Sequence, residues 1–308
     1  MASGILNVDK PSGRTSHDVV ERVRALTGIR RVGHAGTLDP LATGVLLVCV
    51  GRPATRVVEY LIDETKEYRT DAWLGATTDT FDAEGKVVSE RPVEVGRDAV
   101  EQALTRFRGP IQQIPPMYSA VKYRGKPLYR LARRGVEVER EPRGVHIYRL
   151  QLVLWDPPQL TLEMSCSPGT YVRVLVHDLG QELGCGAHVT SLTRLASGSF
   201  RLEDAVTLDT FAERARHGRW PEMLYPVDKA LARRFPALEL DADAARRLCS
   251  GQAVTGIDRE INSAELARVY GPEGRFLALA AYDPIKHAWC PRKVFVSPYP
   301  GQRSVESD

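Results

Sequence analysis

No C-x-x-C pair joins the five cysteines, which stand apart at positions 49, 166, 185, 249 and 290. An odd, scattered set in a chain of 308 residues argues against a disulfide framework. It points to reduced thiols serving as small core residues in a cytoplasmic protein. The seven histidines show neither H-x-x-x-H nor H-x-x-H spacing, so no zinc site assembles locally and no metal is expected. The apolar run Val45–Val50 is six residues long, and no run approaches the length needed to cross a bilayer. The start, Met1-Ala2-Ser3-Gly4, leads directly into a strand-like segment, so no signal peptide is expected. A phosphate-binding G-x-x-x-x-G-K-[ST] loop and a G-x-S-x-G elbow are both missing. Gly184-Cys185-Gly186 lacks the third glycine of a dinucleotide loop, and the faint calcium-loop echo at Thr80–Gly85 has Arg91 where a Glu is required.

Charge of one sign is also scarce, since Lys+Arg 42 against Asp+Glu 39 leaves a net of +3. The chain is therefore no bulk polycation, and its 43% apolar content excludes wholesale disorder. At about 150 residues per domain the length suggests two domains. What is present is arginine: 8 of the 42 basic residues are Lys, leaving 34 Arg. By itself the surplus is better explained by the codons of a GC-rich genome, so position has to decide. Nine basic residues (Lys122, Arg124, Lys126, Arg130, Arg133, Arg134, Arg140, Arg143, Arg149) face three acidic ones between 122 and 149, a local net of +6. Tyr123, Tyr129 and Tyr148 are interleaved with them. Cations mixed with aromatic rings suit a polyanion carrying stackable bases, although a solvated charged face has the same composition.

Periodicity and breakers predict a mixed, largely antiparallel α+β sheet flanked by helices and loops. Strands are expected at Ile5–Val8, Val45–Val50, Lys66–Ala76, Gly144–Trp155 and Leu160–Cys166. Helices are expected from Ser16 as N-cap to Gly28, over Pro53–Leu61 and Asp98–Phe107, and from Thr170 as cap to Leu183. Gly33–Gly44 and Thr77–Gly85 read as loops. Pro221–Pro236 reads as a junction, after which Asp241 caps a short helix and short apolar runs suit a small β-barrel. The expected units are residues 1–230, residues 236–299 and a mobile polar tail at 300–308.

The densest local signal is Gly33-His34-Ala35-Gly36-Thr37-Leu38-Asp39-Pro40-Leu41-Ala42-Thr43-Gly44. Its glycines let backbone approach a ligand, and Pro40 biases Asp39 towards extended geometry that holds a carboxylate out from the loop. Asp-Pro with glycines is equally ordinary turn chemistry. The segment resembles the catalytic motif G-H-x-G-x-L-D-P-x-A-x-G of the tRNA pseudouridine synthase B (TruB) family at every fixed position. Further segments match in the family's order: Asn7–Pro11 with Gly13 and Ser16, Lys66-Glu67-Tyr68, Thr78-Asp79-Thr80 with Asp82, Pro115-Pro116 with Ser119-Ala120-Lys122 and Gly125, Gly169–Arg173, and His188-Val189 with Leu192 and Arg194.

The resemblance implies a pseudouridine synthase fold followed by a PUA-like RNA-binding barrel. It implies isomerisation of the uridine at position 55, in the TΨC loop of tRNA, after the nucleotide is flipped out. By the same resemblance Asp39 is the catalytic carboxylate, Arg173 is its guanidinium partner, and Tyr68 stacks on the uracil with its hydroxyl near the C5 proton. Leu192 lies on the other side of the base and His34 fills the space the nucleotide vacates. Asp82, Lys10 and Tyr171 are expected among the substrate-binding residues, as are Lys122 and Arg124 of the basic stretch. No cofactor and no obligatory protein partner are implied, and the chain is expected to be a cytoplasmic monomer acting on tRNA. Two other readings share the sequence: an RNA-binding protein without chemistry, which would not need Asp39, and an aspartate-based hydrolase, which would turn over free nucleotides.

Overall fold

In a computed structural model the structure describes residues 2–256 and 266–296. The tail expected at 300–308 and parts of the expected 236–299 unit lie outside the described residues. Along the chain, β1 (Gly4–Lys10) precedes α1 (Ser16–Thr27), β2 (Val32–Ala35) and β3 (Thr43–Val50). Two short helices, α2 (Gly51–Thr55) and α3 (Val58–Ile62), lead to β4 (Lys66–Leu74) and a hairpin of β5 (Ala76–Thr78) with β6 (Val87–Glu90). Next come α4 (Arg97–Thr105), β7 (Gly109–Gln113), the small hairpin β8 (Lys122–Tyr123) and β9 (Lys126–Pro127), and α5 (Leu128–Ala132). The long hairpin β10 (Arg143–Asp156) and β11 (Gln159–Cys166) is followed by α6 (Val172–Glu182), β12 (Ala187–Ser197), β13 (Phe200–Arg201), β14 (Val206–Thr207) and α7 (Leu208–Arg216).

The main sheet runs β14-β1-β3-β12-β4-β11-β10-β7, with β13 on β12 and β2 on β3. All pairs are antiparallel except β1 with β14 and β3 with β12. This is the mixed, largely antiparallel sheet that the alternation predicts. β4 shows the reason: its residues alternate strictly between buried and part-exposed, with Tyr68, Ala72 and Leu74 turned into the main core. In α1 the stripe Val19, Val20 and Val23 is fully covered, and the helix closes on Gly28 in the left-handed conformation. One short helix, α8 (Val227–Ala230), lies before a second, five-stranded sheet. That sheet has the order β15 (Ala237–Glu239), β17 (Leu266–Tyr270), β18 (Phe276–Asp283), β19 (Ala288–Val294), β16 (Val254–Thr255), with α9 (Ala242–Cys249) packed on it. Asp241 caps α9 through Ala244 N, as its position predicts. Among the described residues no helix is long and apolar enough to cross a membrane.

Four local expectations change. Thr15, not Ser16, caps α1, in a capping box with Asp18; Ser16 is instead turned inward and bonds both backbone groups of Leu38. Thr170 does not cap α6, because its hydroxyl donates to Ser167 O at 2.9 Å. The Gly33–Gly44 segment begins as strand β2, paired with β3, before it becomes a loop. The single helix over Pro53–Leu61 is broken in two near Val57, whose ψ of 6° departs from the helix.

Candidate active site

Asp39 sits at the turn between β2 and β3, and its loop is clamped from below by buried polar groups. Ser16 Oγ accepts from Leu38 N at 2.9 Å and donates to Leu38 O at 3.1 Å. Lys10 is fully buried and its Nζ donates to the carbonyls of Pro11, Arg14 and Pro40 at 2.9, 2.6 and 3.1 Å. All three ammonium donors are thereby used. Lys10, expected among the substrate-binding residues, instead fastens the loop carrying Asp39. Burial is the main cause that lowers its pKa to about 8, with the charge of Asp39 opposing. At the far end of the loop Gly44 has φ +94°, and a Cβ there would lie 2.3 Å from the Arg194 carbonyl oxygen. Only glycine allows β3 to cross that close to β12.

Arg173 reaches the loop from the first turn of α6. The start of that helix is fixed by one buried side-chain amide: Gln113 Oε1 accepts from Tyr171 N at 2.9 Å and Gln113 Nε2 donates to Tyr171 O at 3.2 Å. Arg173 Nε donates to Asp39 Oδ2 at 2.8 Å and Nη2 to Asp39 Oδ1 at 2.9 Å, a two-pronged fork. The remaining donors reach Thr80 O at 2.8 Å and Tyr118 O at 3.0 Å. Nη1 also lies 3.3 Å from Asp82 Oδ2. The side chain of Arg173 is 4% exposed, whereas that of Asp39 is 32% exposed. The guanidinium is thus sealed behind the carboxylate, and the carboxylate faces solvent. Asp82, expected near the flipped nucleotides, is 6% exposed. It accepts from Thr80 Oγ1 at 2.6 Å and Glu84 N at 3.1 Å, so it backs Arg173 from the protein side.

Tyr68 and Leu192 lie in the same core cluster beside this loop, on β4 and β12. Burial raises the Tyr68 pKa, with the positive charge of Arg194 opposing. His34 stands on β2, and its Nδ1 is buried without a hydrogen-bond partner. Burial, and then the charges of Arg194 and His17, hold its pKa below the usual imidazole range. Tyr171 is half-buried, with its pKa raised mainly by burial. Lys122 and Arg124 are not part of this cluster. They lie on the exposed β8–β9 hairpin, where the Arg124 guanidinium sits 5.4 Å from the Tyr123 ring centre. The basic stretch continues over α5 to β10, where Tyr148, 57% exposed, stacks on His146.

Two buried cations carry no role in the sequence analysis. Arg194 is 1% exposed; its Nε donates to Val45 O at 2.6 Å and its Nη2 to Gly36 O at 3.1 Å. Lys66 is 5% exposed and donates to Ile62 O and Glu64 O, with its pKa lowered to about 8 chiefly by burial. Both stand in the matched segments around Tyr68 and Leu192. Their inward phase on buried strand faces is the signal that singles them out.

Residues 24–172 match the N-terminal domain of the TruB family of pseudouridylate synthases. Residues 173–232 match a tRNA pseudouridylate synthase B C-terminal domain, and residues 236–284 match a pseudouridine synthase II TruB C-terminal domain. The chain is 50% identical over 281 residues to tRNA pseudouridine synthase B of Pseudomonas aeruginosa, covering 90% of this chain and 91% of that protein. To the protein of the same name from Syntrophotalea carbinolica it is 47% identical over 289 residues, covering 92% of each. Among solved structures, a Cbf5-Nop10-Gar1 complex contains a chain that superposes with a TM-score of 0.74 at 28% identity, covering 95% of this chain and 85% of that one.

Proposed function

The chain belongs to the TruB family of pseudouridylate synthases, and we propose that it acts on uridine 55 of the TΨC loop, with Asp39 as the group that works at the ribose. The reaction is the isomerisation of a tRNA uridine to pseudouridine. The N1–C1′ bond breaks, the uracil turns, and C5 joins C1′. The proton on C5 leaves and N1 gains one, so no redox equivalent and no transferred group is required. A single aimed carboxylate beside C1′ meets the chemical need.

The observation that carries this reading is the division of exposure within the Arg173–Asp39 fork. The cation is enclosed and has its donors committed, while the carboxylate is accessible and cannot swing. Burial of Tyr68 beside the loop suits a ring that stacks on uracil, with Leu192 on the other face. His34, short of one hydrogen-bond partner, suits a side chain that takes the place of the everted nucleotide. The basic stretch from 122 to 149, with Lys122 and Arg124 on their hairpin, supplies phosphate contacts for tRNA. The enzyme acts as a cytoplasmic monomer without an obligatory protein partner.

The test is Asp39→Asn with unmodified tRNA in the presence of a chelator. Pseudouridine is mapped by position, and binding is measured in parallel. Product at position 55 vanishes while tRNA binding persists. Full product formation by Asp39→Asn rules out the assignment of Asp39, and pseudouridine at another position rules out the substrate site.

A further inference from the structure

Half of the ligands of Arg173 come from one tight loop, and that loop is held by a contact between two residues to which neither the sequence motifs nor the reaction gives a role. Thr80 O and Asp82 Oδ2 both face Arg173, and Phe81 stands between them. Phe81 has φ +64°, a left-handed conformation unfavourable for an aromatic residue. Its ring lies on the imidazole of His177, with ring centres 3.9 Å apart and planes 19° apart. His177 is four residues after Arg173 on α6, so both side chains leave the same helix face. Burial holds the imidazole pKa down, which favours the neutral ring, and Nδ1 is buried without a hydrogen-bond partner. The stack on Phe81 is thus a contact this histidine makes through its ring face, not through a hydrogen bond of Nδ1. On its other side the loop is tied to β12, through Val189 N to Phe81 O at 3.0 Å and Ala83 N to Val189 O at 2.8 Å.

We infer that the His177–Phe81 stack is a clasp that presets the Thr80 carbonyl and the Asp82 carboxylate on Arg173, and through Arg173 the aim of Asp39. His177 and Phe81 are positioning residues, because neither touches the reacting atoms. The inference rests on the assignment of Asp39 made above. Phe81→Gly separates stack from backbone: glycine is at ease at φ +64°, so this variant relieves the strained conformation while deleting the ring. An aromatic stack contributes about 0.5–1.5 kcal/mol. At 1.36 kcal/mol per decade, kcat falls about two- to tenfold.

The experiment measures kcat and KM on unmodified tRNA for Phe81→Gly, His177→Ala and His177→Phe, with melting curves and Asp39→Asn as reference. Phe81→Gly and His177→Ala lose kcat at unchanged KM, His177→Phe restores it, and combining Phe81→Gly with His177→Ala costs no more than either alone. The inference is overturned if Phe81→Gly keeps wild-type kcat, if KM rises in place of the fall in kcat, or if the two losses multiply. An inactive Asp39→Asn beside an unaffected Phe81→Gly defeats only the clasp, whereas an active Asp39→Asn defeats the assignment beneath it.

Discussion

Replacing Arg173 by lysine keeps one positive charge but removes the fork. Arg173 makes two parallel bonds to Asp39, at 2.8 and 2.9 Å, and also holds Thr80 O, Tyr118 O and Asp82. A single ammonium on a flexible stem cannot span both Asp39 oxygens and the two carbonyls. At least one charged hydrogen bond to Asp39 is lost, and such a bond contributes about 1.5–3 kcal/mol. If that aim is needed in the transition state, kcat falls about 10- to 150-fold. Stability responds differently. Lysine still neutralises Asp82, whose side chain is 6% exposed, so Arg173→Lys melts only slightly lower. Arg173→Met strands Asp82 as a buried charge and costs about 3–5 kcal/mol. The assay is single-turnover conversion of unmodified tRNA at saturating enzyme, with urea unfolding of both variants. Wild-type turnover by Arg173→Lys, or wild-type stability of Arg173→Met, would refute the view that this guanidinium both aims Asp39 and neutralises Asp82.

Two further outcomes follow from charge. Each phosphate contact adds about 0.7–0.9 to the steepness with which log affinity falls against log salt; replacing Lys122 and Arg124 together by alanine therefore flattens the slope for tRNA by about 1.5, and an unchanged slope removes the β8–β9 hairpin from the binding surface. Asp178, half-buried on α6, has its pKa raised by burial to about 6. The folded state thus holds a proton that the unfolded state releases between about pH 4 and 6, so stability falls as pH rises through that window and the penalty persists above it. Asp178→Asn accordingly raises Tm at pH 7.5 and leaves it unchanged at pH 3.5, and equal shifts at both values would contradict the sign.

Much of the main sheet was legible because its strands bury one face each and advertise it by alternation. Where local chemistry competes, periodicity alone does not decide. Thr15 and Ser16 are both good caps, and only the tertiary contact of Ser16 with Leu38 decides between them. β2 was hidden because Val32–Ala35 is short and glycine-containing, and it becomes a strand only by pairing with β3. Asp39 and Arg173 were found through their matched segments. Their contact spans 134 residues of chain and depends on Gln113, from a third segment, fixing the start of α6. Nothing local in the sequence encodes that convergence.

Inward positions on strands and helices of a core are ordinarily apolar, because a charge there loses its hydration. Here Lys10, Lys66, Arg173 and Arg194 all occupy such positions at 5% exposure or less, against Asp82 as the buried carboxylate among the described residues. Arg194 keeps the inward phase of Leu192 and Ala196 on β12, and Lys66 keeps that of Tyr68 and Thr70 on β4. The lowered pKa of both lysines shows what that arrangement costs. Backbone carbonyls satisfy most of their donors without cancelling their charge, so positive charge is enclosed beside the Asp39 loop, where Lys10 holds Pro40 O, Arg194 holds Gly36 O and Arg173 forks Asp39 itself. A fold selected for stability alone would place leucines at these phases. Buried cations at phases that packing alone would fill with apolar side chains, three of them bonded to the loop of one accessible carboxylate, suit a site that receives an anionic substrate.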